Sequence, residues 1–220
     1  GNVYAGTKAI VANAKFKSFT PRLSAKYQFT PDVMSYVSYS EGFSAGGINV
    51  NPVLGIVPYN PETLTNYEFG FRSEWFERRF RFNLTAFKAN WKGIQLSQAP
   101  PDPRNPGLSI PNPIIVNAAA AKAWGVEIET VLVVTDAFRV NANLGRLDTR
   151  YTDPGDATQV QLNSTFANAP KWSYSLGAQY TLRTANSGNV VARADYGWMD
   201  DYQRSRESRF QSLQTAFGLL

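Results

Sequence analysis

Residues 64–94 read LTNYEFGFRSEWFERRFRFNLTAFKANWKGI. From Tyr67 onward, Tyr67, Phe69, Phe71 and Trp75 alternate against Glu68, Arg72 and Glu74. After the short Phe76-Glu77-Arg78 connection, Phe80, Phe82 and Leu84 alternate against Arg81, Asn83 and Thr85. A period of two puts successive side chains on opposite faces of a strand, so the stretch predicts a β-hairpin facing two different solvents. Strands of roughly 10 to 14 residues outrun the five or six usual in globular domains. They match the 9 to 11 or so that a tilted strand needs to cross a bilayer.

The same pattern recurs outward in both directions. It predicts strands at roughly 21–30, 33–41, 64–76, 79–94, 120–134, 137–151, 171–182 and 190–200, with another beginning in 213–220. In the first, Leu23, Ala25, Tyr27 and Phe29 oppose Arg22, Ser24, Lys26 and Gln28. In the second, Val33, Val37 and Tyr39 oppose Met34 and Tyr36, and both sets are apolar enough to leave the outward face open. Further on, Trp124, Val126, Ile128 and Leu132 oppose Glu127 and Glu129, and Trp172, Tyr174, Leu176, Ala178 and Tyr180 oppose small polar residues. Residues 1–18 show no regular pattern. Connections are short at Thr30-Pro31-Asp32, Phe76-Glu77-Arg78, Thr135-Asp136 and Asn186-Ser187-Gly188. They are long at 42–61, 100–113, 152–170 and 201–212. Six prolines between Pro100 and Pro113 keep that segment out of a strand ladder, because proline cannot donate a backbone hydrogen bond.

Short turns at one end and long loops at the other are the habit of bacterial outer-membrane barrels. With the long loops outside, Trp124, Trp172 and Trp198 fall near the outer strand ends and Trp75 near the inner end, as two aromatic girdles would. A soluble β-sandwich would have shorter strands and less polarised loops. The expected fold is therefore all-β, part of a transmembrane antiparallel barrel.

Composition narrows the chemistry. The chain has 220 residues and no histidine or cysteine, which removes Ser-His-Asp triads, Cys-His pairs and ordinary zinc sites. A net charge of +5 permits nucleic-acid binding, but the basic residues are scattered, and strand geometry separates Arg81 from Phe80 and Phe82. Nucleic acid is not expected as a partner, nor is a cofactor. Glu127 and Glu129 stand about 7 Å apart on one strand face, a spacing that glycosidase carboxylates also show; a wet barrel wall is the simpler account. Asp153, Asp156, Asp200 and Asp201 supply too few oxygens for Ca²⁺, which needs about six to eight. No signal peptide is visible, and the expected aromatic terminus of a complete barrel is missing, so the sequence reads as a piece of a longer polypeptide.

Four stretches add a resemblance. Tyr39–Asn49 (YSEGFSAGGIN), Asn60–Gly70 (NPETLTNYEFG), Ala123–Glu129 (AWGVEIE) and Asn168–Trp172 (NAPKW) resemble the C-terminal half of the barrel of TonB-dependent outer-membrane receptors. With the hairpins between them they cover about Phe19–Tyr202. The resemblance, nearest to the siderophore-receptor branch, implies a barrel of about 22 strands filled by a plug domain that this sequence lacks. It implies capture of a scarce solute, such as a ferric siderophore, and import into the periplasm of a Gram-negative bacterium on energy from the TonB complex, which contacts the plug. Uptake of a carbohydrate, vitamin or aromatic compound is the alternative in the same class; a passive pore or an outer-membrane enzyme is the alternative outside it. The expected partners are outer-membrane lipid, the solute and TonB. Glu68, Arg72, Glu127, Glu129, Arg139, Arg193 and Asp195 are expected to face the lumen and plug. Loop residues Phe43, Tyr59, Arg104, Tyr151, Tyr202 and Arg204 are the candidate ligand contacts, since binding groups gather on loops held by a rigid scaffold.

Overall fold

A computed structural model describes residues 14–157, 160–184, 188–205 and 212–220. The described residues form strands and no helix: β1 (Arg22–Thr30), β2 (Val33–Ser44), β3 (Gly47–Asn51), β4 (Gly55–Tyr59), β5 (Glu62–Trp75), β6 (Phe80–Gln98), β7 (Ile114–Val133), β8 (Phe138–Asp153), β9 (Trp172–Thr184), β10 (Gly188–Met199), β11 (Tyr202–Gln203), β12 (Leu213–Gln214) and β13 (Phe217–Leu219). Nine of them make one antiparallel sheet in the order β1-β2-β5-β6-β7-β8-β9-β10-β13. Each strand pairs with its sequence neighbour, apart from the small β3-β4 and β11-β12 hairpins inside long loops. The sheet stays open at β1 and β13, as a segment of barrel wall does.

Paired residues share a face, so the registers carry one face across the whole sheet. Tyr39, Tyr67, Lys88, Trp124 and Asp148 form one row; Leu84, Ile128, Leu144, Tyr174 and Trp198 form another. This face bears Leu23, Phe29, Val37, Phe69, Leu132, Leu176 and Leu182, all well exposed, with Leu23 at 68% and Leu176 at 52%. The register also settles β2: Val37 and Tyr39 lie on the apolar face, Met34 and Tyr36 on the polar one. The opposite face carries Glu68, Arg72, Asn83, Glu129, Asn143, Ser175, Arg193 and Asp195.

Four expected boundaries change. Residues 42–61, read as loop, include the end of β2 and the β3-β4 hairpin, in which Pro58 sits where an edge tolerates its missing N–H. β6 and β7 run on to Gln98 and back to Ile114, 19 and 20 residues long. The segment 213–220, read as one strand, divides: Leu213–Gln214 pairs with β11, Phe217–Leu219 with β10. Of the expected turn at Asn186-Ser187-Gly188, the first two residues lie outside the described set, as do residues 1–13. The turn at residues 76–78 is left-handed, with φ of 55°, 55° and 67° at Phe76, Glu77 and Arg78.

Candidate functional site

The polar face holds a connected wall in the middle of the sheet. Tyr36 donates to Glu68 Oε1 at 2.7 Å. Arg72 donates to Thr85 Oγ1 at 3.0 Å, to the Leu84 carbonyl at 2.8 Å and to the Tyr36 hydroxyl at 3.4 Å, its guanidinium 5.6 Å from the Tyr36 ring centre. Tyr36 can lie flat because Gly70 stands beneath it; a Cβ there would come within 2.0 Å of the ring. Gly125 gives Phe87 the same room. On β10, Arg193 grips Asp195 through two contacts at 2.6 and 2.7 Å, and Asn83 reaches Glu129 at 3.4 Å. Glu127 and Arg139 are exposed on the same face. All seven residues expected on one face are thus brought to it, while Tyr36, the centre of the Glu68–Arg72 network, escaped sequence reading.

The long-loop end is built differently. β6, β7 and β8 project beyond the level of Trp124 and Trp172, and there residues 154–157 and 160–171 fold back over them. Leu96, Ala118, Ala121, Tyr151, Ala157 and Val160 form a dry cluster, with Trp91, Ile94, Val116 and Phe166 against it. Phe166 meets Tyr151 at 4.8 Å and Trp91 at 5.6 Å between ring centres. Side-chain amides moor the β3-β4 hairpin to this projection. Asn49 exchanges two 2.8 Å hydrogen bonds with the Ile115 backbone, as a paired strand residue would. Asn117 bridges the carbonyls of Asn60 and Gly93, and Gln95 those of Ala45 and Asn60.

This construction corrects part of the candidate ligand set. Tyr151 lies in β8, only 3% exposed, and is a packing residue. Phe43 belongs to β2, half-buried on the Val37 and Tyr39 face, rather than to a loop. Tyr59 lies in β4 with its ring over Gly47, and Tyr202 in β11. Arg104 and Arg204 remain exposed, Arg104 tied to Asp102 at 3.3 Å. Asp102 also accepts from Asn105 Nδ2 at 3.0 Å and from the Arg104 amide at 2.9 Å, and these bonds hold its carboxyl below the ordinary range. Among the described residues no group of three or more acidic, His or Cys side chains could hold a metal.

Known proteins share this architecture. The TonB dependent receptor-like, beta-barrel family model matches residues 1–217. The metal-pseudopaline receptor CntO of Pseudomonas aeruginosa is 25% identical over 167 residues, 76% of this chain and 21% of that protein. The ferric-pyoverdine M114 receptor PbuA of Pseudomonas sp. strain M114 is 24% identical over 161 residues, 70% of this chain and 17% of that one. The crystal structure of the ferric yersiniabactin uptake receptor FyuA from Yersinia pestis superposes with a TM-score of 0.70 at 20% identity, over 90% of this chain and 28% of that one. The chain spans about a fifth of the length of the curated relatives it matches. These relatives are transport receptors, not enzymes. The exposed apolar face, the hydrogen-bonded polar face and the long loops gathered at one end are thus a stretch of barrel wall, and the chain belongs to the TonB-dependent receptor-like β-barrel family.

Proposed function

We propose that the chain is wall and rim of an outer-membrane receptor of a Gram-negative bacterium that captures a ferric siderophore and passes it to the periplasm on TonB-supplied energy. The observation that carries the reading is the sheet's division into an apolar face suited to lipid and a charged face suited to a filled lumen. The relatives' named ligands, metal and iron complexes of siderophores, support the substrate class. On this reading Glu68, Arg72, Glu127, Glu129, Arg139, Arg193 and Asp195 line the lumen against a plug. Glu127, Glu129, Arg139, Arg193 and Asp195 are all exposed, the last two paired with each other. Arg104, Arg204, Tyr59 and Tyr202 occupy the loops around the mouth.

The test is uptake of radio-iron siderophores by cells with and without the full receptor gene, each with and without an uncoupler. Gene-dependent uptake that the uncoupler abolishes is expected. Uptake indifferent to the uncoupler would make the barrel a passive pore. No gene-dependent uptake of any siderophore would overturn the substrate and direct the search to a carbohydrate, vitamin or aromatic solute.

A further inference from the structure

The apolar face changes character at the level of Trp124 and Trp172. Below it lie Leu84, Ile128 and Leu144; at and above it the same face carries Lys88, Lys92, Lys122 and Arg150. Lys88 shares a row with Trp124 and Asp148, and Lys122 sits beside Arg150 in the row of Asn90. Neighbours within a row are about 5 Å apart, and these two rows about 7 Å. All four cations are exposed, and none forms an ion pair among the described residues. Two acids stand among them, Asp148 in the Trp124 row and Asp153 in the row of Lys92 and Ala120, where it accepts from the Gly155 amide; Glu41, on the Asn90 row two strands away, takes the Tyr39 hydroxyl. Arg146, one row below Trp124, is clamped between two indoles, 4.8 Å from the Trp124 ring centre and 5.1 Å from that of Trp172. Its Nε is buried with no hydrogen-bond partner. A guanidinium held by ring faces keeps its charge while its stem stays in the apolar band.

We propose that this patch binds the phosphorylated headgroup of a lipid in the leaflet on the long-loop side. The proposal rests on the apolar face being lipid-facing. Lys88, Lys122 and Arg150 take the phosphate, Arg146 supplies a fixed charge from below, and the acyl chains run down over Leu144, Ile128 and Leu84. The vertical order of cations, indoles and aliphatic side chains is what selects a lipid over a free anion: a phosphate alone has no use for the apolar lower half. Asp148, on the strand of Arg150 and two strands from Lys88, leaves the Lys88–Lys122 side the more favourable for the phosphate.

The test uses the full receptor in neutral detergent, offered phosphatidate and phosphatidylcholine in equal amounts, with bound lipid counted by native mass spectrometry. Three contacting cations, each worth about fivefold near a charged surface, give a preference for phosphatidate of roughly a hundredfold. The variant Lys88→Gln/Lys122→Gln/Arg150→Gln is expected to fall to parity, still folded by heat-modifiable mobility and still transporting its solute. Parity in the native receptor, an undiminished preference in the triple variant, or displacement of phosphatidate by millimolar inorganic phosphate would each overturn the site. Iron uptake is read separately, so loss of the lipid preference leaves the transport reading standing. Failure to retain either lipid would remove the membrane-facing premise as well.

Discussion

Below Trp124 and Trp172 the sheet is apolar on one face and polar on the other; above them the two faces exchange roles. On one side of β6–β8 the rows pass from Leu84, Ile128 and Leu144 to Asn90, Lys122 and Arg150. On the other they pass from Asn83, Glu129 and Asn143 to Trp91, Ala121 and Tyr151. Both halves are the same three strands with the same alternation, so the backbone cannot be the cause. What differs is the surroundings. In the lower band, lipid takes the place of a core on one side and the lumen is wet. In the upper projection, water lies outside, and Ala157, Val160 and Phe166 of the returning loop supply a dry interior. The molecule's small buried core therefore lies largely outside its membrane band.

The largest expected effects break one half and spare the other. Tyr151→Ala removes the ring at the centre of the upper cluster and should cost about 3–5 kcal/mol there, as large-to-small changes of buried aromatics do. The loss should stay local: limited proteolysis should cut the 154–171 loop while the barrel keeps its heat-resistant mobility. Loss of the folded barrel in this variant would show that the two halves are not separable. In the lower band, Leu176→Arg should cost about 2–4 kcal/mol in folding into lipid vesicles, the range for a charge facing mid-bilayer. Asn143→Arg, one row nearer the girdle on the other face, should be near neutral. Equal costs would remove the assignment of faces.

A smaller effect tests how closely the polar wall is fitted. Gly70→Ala should destabilise by about 1–3 kcal/mol, the usual cost of overpacking. Tyr36→Ser, which withdraws the ring from above Gly70, should recover most of that in the double variant. Additive losses would mean that the glycine serves something other than the ring. In the upper half, Asn49→Leu leaves the Ile115 amide and carbonyl without partners, at about 1–3 kcal/mol. Faster hydrogen exchange at Ile115, with no change at Glu127 or Glu129, is the expected result.

The lower band was legible in the sequence because lipid on one face and water on the other make the pattern strict. Tyr67-Glu68-Phe69 or Trp172-Ser173-Tyr174 admit one reading. The projection was not, for a physical reason: the alternation continues through Trp124, but the face that is apolar changes, so a search for one apolar face stops there. The predicted strand therefore starts only at about Ala120, leaving Ile114–Ala119 out, and Tyr151 passes as an exposed aromatic when its ring is buried. The β3-β4 hairpin, with Pro52 and Pro58 in or beside it, owes its place to side-chain amides of Asn49 and Asn117, residues 57 to 66 positions from their partners. No local pattern carries that information. Nor did β2 show its outer face, since Met34 and Tyr36 are as apolar as Val37 and Tyr39; only pairing with β5 put Tyr36 beside Glu68.

The smallest expected effect separates the loops from both halves. Asp102 organises the proline-rich 99–113 loop by accepting hydrogen bonds from Asn105 and the Arg104 amide, beside the Arg104 guanidinium, and its carboxyl is held below its ordinary value near 3.8. A folded-state value below the unfolded one means the contribution is fully present above the ordinary carboxylate range and is lost as the pH falls through the lowered value. Acidification below about pH 4 should therefore loosen this loop first, seen as faster amide exchange at Arg104 and Asn105. The bonds of Asn49 and Asn117 involve neutral amides and should not respond, nor should the Trp91–Tyr151–Phe166 cluster. Asp102→Asn should give the loosened exchange rates at neutral pH and abolish their acid dependence. An acid response that survived the substitution would have to come from another carboxylate, and the loop would then owe its shape to its prolines rather than to Asp102.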